Sequence, residues 1–222
     1  VEAQDDGELF DLYTREGAPL GVRKARAAVH RDGDWHRSVH IWVWGVLDGA
    51  PHLIFQRRGA GKDTWPLALD VAVTGHARAG ESIEATLREA EEEIGLAVRP
   101  ADLVRLGLRR RADRRGRPGA ADNELQDIFA RVAPVEIAAL TPCPAELEAI
   151  VTLPFAEAGP VLREGREASG RRLVKGGDGA RFVEEPIRGG DFVPAPDGYY
   201  EKAYASLSMV LAGATPAPWE MG

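Results

Sequence analysis

The chain has 222 residues, 28% of them charged and 44% hydrophobic, with a formal net charge of −7. That length suffices for one domain with a real core, or one domain plus an appendage, and the acidic balance argues against a nucleic-acid partner, which usually requires a basic footprint. A single cysteine, Cys143, excludes an intramolecular disulfide and a cysteine-based zinc cluster and fits a reducing cytoplasm.

The acidic start, Val1 to Leu12, does not read as a signal peptide, and no apolar run approaches the length of a membrane span. Glu8 to Tyr13 and Pro19 to Val22 read as strands around a Glu16-Gly17 turn, with Lys24 to His30 as a short helical stretch. Val39 to Leu47 alternates as a strand, Asp48-Gly49 is a hairpin signal, and Leu53 to Arg57 returns. Trp65 to Leu69 reads as loop, Val71 to Val73 as a short strand and Gly75 to Gly80 as a glycine-bounded loop. Ser82 to Ile94 is the clearest helix, with Ser82 placed to cap it and Gly95 behind its last turn. Leu103 to Leu108 and Leu125 to Val132 read as strands around a basic loop running from Arg109 to Arg117. Glu146 to Leu153 reads as a strand, Phe155 to Arg163 as a short helix and Tyr199 to Ala212 as a final helix. The expected organisation is one α/β domain over 1–213, with a strand–turn–strand extension in 1–30, a flexible insertion at 164–190 and a loose tail at 214–222.

The helix carries the chemistry. Glu89, Glu92 and Glu93 stand at i, i+3 and i+4, so three carboxylates share one helical face. Alone, such a face repels itself and is most often a solvated surface. A divalent cation turns the repulsion into coordination, and hard oxygen ligands suit Mg²⁺ or Mn²⁺. The context favours the second reading: a glycine loop feeds the helix, Arg88 can pair with Glu92, and Gly95 ends it.

These residues resemble the Nudix box, in which a glycine, five residues, a glutamate and a spacer lead to Arg-Glu-apolar-x-Glu-Glu-x-Gly-apolar. Arg88 to Leu96 fits the second half at every fixed position, and Gly75 and Glu81 fit the first half. The departure is the spacer: six residues, Ser82 to Leu87, separate Glu81 from Arg88 where the family has seven. The resemblance implies an α/β/α sandwich with a mixed sheet and a loop–helix–loop box. It implies a small organic diphosphate substrate, metal binding by Glu89, Glu92 and Glu93, with Glu81 a weaker ligand, and Arg88 orienting a glutamate. Family members are often dimers, so a homodimer is compatible with it.

Wider stretches resemble the isopentenyl-diphosphate isomerase branch of the superfamily: Val29-His30 to Arg37, Gln56-Arg57-Arg58, Lys62 to Pro66, Gly75-His76 and Asp122 to Leu125. That branch implies a second, histidine-rich metal cluster. His36 and His76 match two of its histidines, His30 lies one residue out of step with a third, and Asp122 and Glu124 match the acidic pair. The isomerase cysteine is replaced by Thr74, whose hydroxyl is far less acidic than a thiol. The expectation is therefore hydrolysis of a phosphoanhydride rather than isomerisation, with a non-catalytic diphosphate sensor as a further alternative. Under the hydrolase reading Glu124 is a candidate base or extra ligand from outside the box.

Arg57 and Arg58 are candidate phosphate contacts, because guanidinium forks match phosphate oxygens. His40 and Trp65 read better as packed residues. The run Arg109 to Arg117 reads as a solvated hairpin loop that could steer an anion.

Overall fold

The computed structural model describes residues 7–62, 64–113, 121–177 and 179–222. Its hub is a long strand, β3 (Trp35–Leu47), which the other strands join on both edges. The first strands, β1 (Leu9–Tyr13) and β2 (Pro19–Ala25), form an antiparallel hairpin, and helix α1 (Arg26–Asp32) leads into β3. Asp48 and Gly49 both take positive φ, 52° and 79°, and turn the chain into β4 (Ala50–Arg58). This is the conformation a tight two-residue hairpin requires. Two short strands follow, β5 (Leu69–Val71) on β4 and β6 (Val73–His76) on β3.

After the helical segment α2 (Ile83–Thr86) and α3 (Glu89–Ile94) come β7 (Leu103–Asp113) and β8 (Asp122–Arg131). Strand β8 lies parallel to β3, whereas β4 and β6 are antiparallel to it, so the sheet is mixed. The remainder is β9 (Leu147–Pro154), α4 (Phe155–Glu164), β10 (Glu167–Gly176), β11 (Gly179–Arg188), α5 (Tyr199–Leu211) and β12 (Trp219–Met221). The sheet order is β11-β10-β9-β4-β3-β8-β7-β12.

Alternation along the strands sends side chains to two faces, and helices cover both. Trp42, Leu53, Phe55 and Val151 pack against Ala158 and Val161 of α4 and Tyr199, Ala203 and Leu207 of α5. Ile41, Val43, Ile54 and Ile150 pack on the other face against Leu87, Ala90 and Ile94. Each fully buried Val, Leu or Ile contributes roughly 1.5–3 kcal/mol, so the two clusters fix which face of the carboxylate helix looks inward. The α/β/α layering and mixed sheet expected from the sequence are what the chain forms.

Several elements differ from the sequence reading. The helix over 82–94 is two pieces. Between them the amides of Leu87, Arg88, Ala90 and Glu91 bond to carbonyls three residues back, at 3.3, 3.2, 3.1 and 2.9 Å. That tighter winding uses three residues per turn and takes up the short spacer. Ser82 accepts from the Ala85 amide at 3.2 Å and Gly95 ends the second piece at φ 68°, so both caps stand. Gly75 and His76 lie in β6 rather than in a loop. Arg109, Arg110 and Arg111 belong to β7, paired with Gln126, Leu125 and Glu124 of β8, not to a loop. Arg114, Arg115 and Arg117 lie outside the described residues.

Residues 167–176 and 179–188 pair as a regular antiparallel hairpin where composition suggested a flexible insertion. Many of its residues are charged, and β10 pairs with β9 only at Arg171 and Arg172, so few side chains reach the core. The tail expected to be loose returns as β12, parallel to β7. Gly107 makes this possible: a Cβ there would meet the Trp219 carbonyl oxygen at 2.2 Å.

Candidate metal centre and active site

The three carboxylates of α3 sit in different surroundings. Glu93 is 4% exposed, and its carboxylate accepts from the Thr74 backbone amide at 3.0 Å and from Gln56 Nε2 at 3.4 Å. Burial lifts its carboxyl to about 8, with the Thr74 amide opposing. Glu89 lies against Gly75, and burial lifts it to about 7 although Arg88 pulls the other way. Glu92 is half exposed. Arg88 joins the group: it donates to Glu89 at 2.5 Å, to Glu92 at 2.7 Å and to Glu81 at 2.8 and 3.2 Å. Glu81 is thus occupied by Arg88, and it also accepts from the Arg78 amide at 2.9 Å. Its place is beside the arginine that orders the other carboxylates.

A second group assembles across four elements. His30 comes from α1, His36 from β3, His76 from β6 and Asp122 from β8. One ligand atom from each lies within 4.8 Å of the others. The Nε2 atoms of His30, His36 and His76 and Oδ1 of Asp122 are buried without a hydrogen bond of good geometry. Glu124 closes the group, with Oε1 3.3 Å from His76 Nε2. Phe10 of β1 stacks on His36 and on His76, each at 5.1 Å between ring centroids, and walls the group from one side.

The group fits a divalent ion. Burial holds all three imidazoles below their ordinary pKa, so they are neutral, the form that binds metal. His36 Nδ1 lies 3.1 Å from the Asp34 carbonyl. It must donate there, which leaves Nε2 bare. His76 is set differently. Arg26 Nη1 stands 3.1 Å from His76 Nδ1, and an arginine only donates, so Nε2 carries the proton towards Glu124. For Nε2 to hold an ion the proton would move to Nδ1, and Arg26 would then be left to Glu8, 3.2 Å away. Burial and the Glu124 charge lift Asp122 to about 6. Against the same burial, the hydrogen bond from His76 and the charge of Arg111 hold Glu124 well below the carboxylate range.

Strand β6 joins the two groups. The Thr74 amide holds Glu93, Gly75 makes room for Glu89, and His76 enters the histidine group. The Thr74 hydroxyl accepts from Gln56 at 2.9 Å. The arginines of β4 are engaged elsewhere. Arg57 pairs with Glu185 at 2.7 Å, and Arg58 bonds the Thr64 carbonyl at 3.0 and 3.1 Å and approaches Asp70 at 3.5 Å. His40 is a packed residue: its Nδ1 lies 2.9 Å from the Tyr199 hydroxyl, and burial lowers it to about 4. The Trp65 indole donates to Asp113 at 3.3 Å. Sequence reasoning left out His30 as a full member of the group, and Arg111 and Gln126 beside Glu124. The strand alternation of β8 pointed to Gln126, which is two residues from Glu124 and so faces the same way.

The NUDIX domain family matches residues 36–175. The chain belongs to the Nudix family. A Nudix hydrolase from Clostridium acetobutylicum, itself described as uncharacterized, is 32% identical over 204 residues, covering 90% of this chain and 97% of that one. An isopentenyl-diphosphate Delta-isomerase from Escherichia coli is 30% identical over 120 residues, covering 54% of this chain and 63% of the relative. A solved structure from Deinococcus radiodurans shares the fold, with a TM-score of 0.51 at 21% identity over 72% of this chain and 91% of that one. The protein is a Nudix hydrolase, an enzyme of the pyrophosphohydrolase kind. The Nudix match begins at His36, so β1, β2, α1 and with them His30 and Phe10 lie before it. Among the described residues, no helix is long and apolar enough to cross a membrane.

Proposed function

We propose that this Nudix hydrolase cleaves the phosphoanhydride bond of a nucleoside diphosphate derivative or another organic diphosphate, using Mg²⁺ or Mn²⁺. The observation that carries the reading is the pairing of two ligand groups across β6: buried Glu89 and Glu93 on one side, and the unpartnered atoms of His30, His36, His76 and Asp122 on the other. Glu89, Glu92 and Glu93 would hold the ions that take the diphosphate, and the histidine group with Glu124 would hold another. Such ions neutralise phosphate oxygens and lower the pKa of a bound water. Arg88 keeps Glu89 and Glu92 in place, and Glu124 would serve as a further ligand or as the base that takes the water's proton. Arg57 and Arg58 are the proposed phosphate contacts, and each must exchange a protein partner for a phosphate oxygen to serve.

The test is a product screen over nucleotide and non-nucleotide diphosphates with Mg²⁺ or Mn²⁺, with Glu93→Gln run alongside. Two phosphorylated products from wild type, and a loss of at least about 100-fold in the variant, support the reading. Equal turnover by both removes the box from the mechanism. A second reading, allylic diphosphate isomerisation, is favoured by one observation, the histidine group that the isomerase branch is expected to share. Thr74 stands against it, because no thiol stands at that position to move the proton. Deuterium exchange into isopentenyl diphosphate by the wild type would establish it.

A further inference from the structure

A line of polar side chains, buried at Arg109, Gln126 and Glu124 and exposed only at its outer end, Asp197, runs across the sheet from the loop before α5 to Glu124. Asp197 accepts two hydrogen bonds from Arg109, from Nε at 2.7 Å and from Nη2 at 2.9 Å. Arg109 Nη1 donates to Gln126 Oε1 at 3.1 Å, and Gln126 Nε2 donates to Glu124 Oε2 at 2.8 Å. Gln126 is fully buried and Arg109 is 3% exposed, with its guanidinium 4.2 Å above the Tyr199 ring.

The direction of every link follows from the chemistry of its members. A guanidinium has donors and no acceptor, so it fixes the Gln126 carbonyl oxygen towards itself. The amide nitrogen must then face Glu124. A flipped amide would set NH₂ against guanidinium and oxygen against carboxylate, two like contacts in a buried place where neither is relieved by water. Glu124 therefore has Oε2 tied down and Oε1 turned to His76 and the histidine group. Arg111, 3.9 Å from Oε2, adds charge on the same side.

We infer that Gln126, Arg109 and Asp197 are positioning residues that hold Glu124 with one oxygen directed into the histidine ion site. The inference rests on the reading of that group as an ion site. A purely structural role, anchoring α5 to the sheet through Arg109 and Asp197, predicts a loss of stability alone. Positioning predicts that a change at Asp197, three links away, is felt by the ion.

The experiment is a Mn²⁺ titration followed by electron paramagnetic resonance, without substrate, with melting in chelator as a control for folding. Gln126→Leu is expected to weaken Mn²⁺ binding about 10- to 100-fold, as loss of a ligand's supporting partner does. Gln126→Asn, too short to span the gap, should do likewise if the leucine variant folds poorly. Asp197→Asn is expected to weaken Mn²⁺ about 5-fold, at the lower end of coupling between separated sites, while Asp197→Glu keeps wild-type affinity. The double variant Gln126→Leu with Asp197→Asn should bind as Gln126→Leu alone, since the line is already cut. Unchanged Mn²⁺ affinity in Asp197→Asn and both Gln126 variants, with only the melting temperature lowered, overturns the inference. A His36→Gln variant that binds as much Mn²⁺ as wild type overturns the ion site and the positioning role together.

Discussion

Gly75 and Glu89 are in contact so close that a Cβ on the glycine would meet Glu89 Cγ at 2.1 Å and Cδ at 2.4 Å. The glycine is needed for the space it leaves, because no positive φ is imposed on it. Its absent side chain lets the Glu89 carboxyl lie against β6, next to the strand position that carries His76 into the second group.

Gly75→Ala is therefore expected to displace Glu89 while leaving the core intact. Turnover should fall about 100-fold or more, because a misplaced ligand near the reacting atoms costs that much. Circular dichroism should be unchanged. A variant with wild-type kcat/KM would show that Glu89 can vacate its place without loss.

Glu93→Gln should act in opposite directions on stability and activity. In metal-free protein at pH 8 the buried carboxyl is half ionised, and burial disfavours that charge. Glutamine keeps an oxygen for the Thr74 amide and has no charge to bury. The melting temperature in chelator should rise by about 2–4 °C, roughly 1 kcal/mol for a chain of this length, while turnover is lost. A lower melting temperature in chelator would mean that the carboxylate stabilises the fold even without an ion.

The same burial gives the metal-free enzyme a signed pH dependence. Glu89 and Glu93 have folded values of about 7 and about 8 against an ordinary 4.5. At these two carboxyls the folded chain binds more protons than the unfolded chain between 4.5 and those values, while the buried histidines, held below 6.5, act the other way up to that pH, so the net stability falls as pH rises from about 6.5 to 8. The carboxyls' contribution is full below 4.5 and is gone once pH passes about 8. Ion binding needs the ionised form, so Mn²⁺ affinity should rise over the same window. Urea unfolding in chelator from pH 6.5 to 9, above the ordinary value of the buried histidines and repeated with Mn²⁺, reads both. A metal-free stability that increases towards pH 8 would contradict the burial of these two carboxyls.

How much of this was legible beforehand differs by element. The carboxylate face of α3, its caps at Ser82 and Gly95, and the Asp48-Gly49 turn are local matters of spacing and backbone conformation, and a sequence shows them. The winding between Thr86 and Glu89 is also local, but the pattern of apolar residues is the same for a continuous helix and a tightened one. The histidine group was legible in part. Its members come from α1, β3, β6 and β8, and only tertiary packing brings His30 into place. Arg109 and Arg111 read as loop because six arginines between 109 and 117 look solvated. Their burial depends on Asp197 and Glu124, partners that no local pattern connects to them, and on Asp113, two residues along β7 from Arg111.

By composition, 214–222 has little to hold it, yet the Trp219 indole donates to Ser206 at 3.0 Å, lies under Lys202 at 5.3 Å and meets the Tyr199 ring edge-on at 6.5 Å. These contacts attach β12 to α5, and Tyr199 in turn sits beneath Arg109. Trp219→Ala should cost about 2 kcal/mol, less than a fully buried tryptophan because the ring is only partly covered. That lowers the melting temperature by roughly 4–8 °C. Activity well below the transition should stay within about twofold, because Trp219 touches neither ligand group. An unchanged melting temperature would mean that the tail is held by its backbone pairing with β7 alone. A large loss of activity at low temperature would show instead that β12 sets the position of α5 over the site.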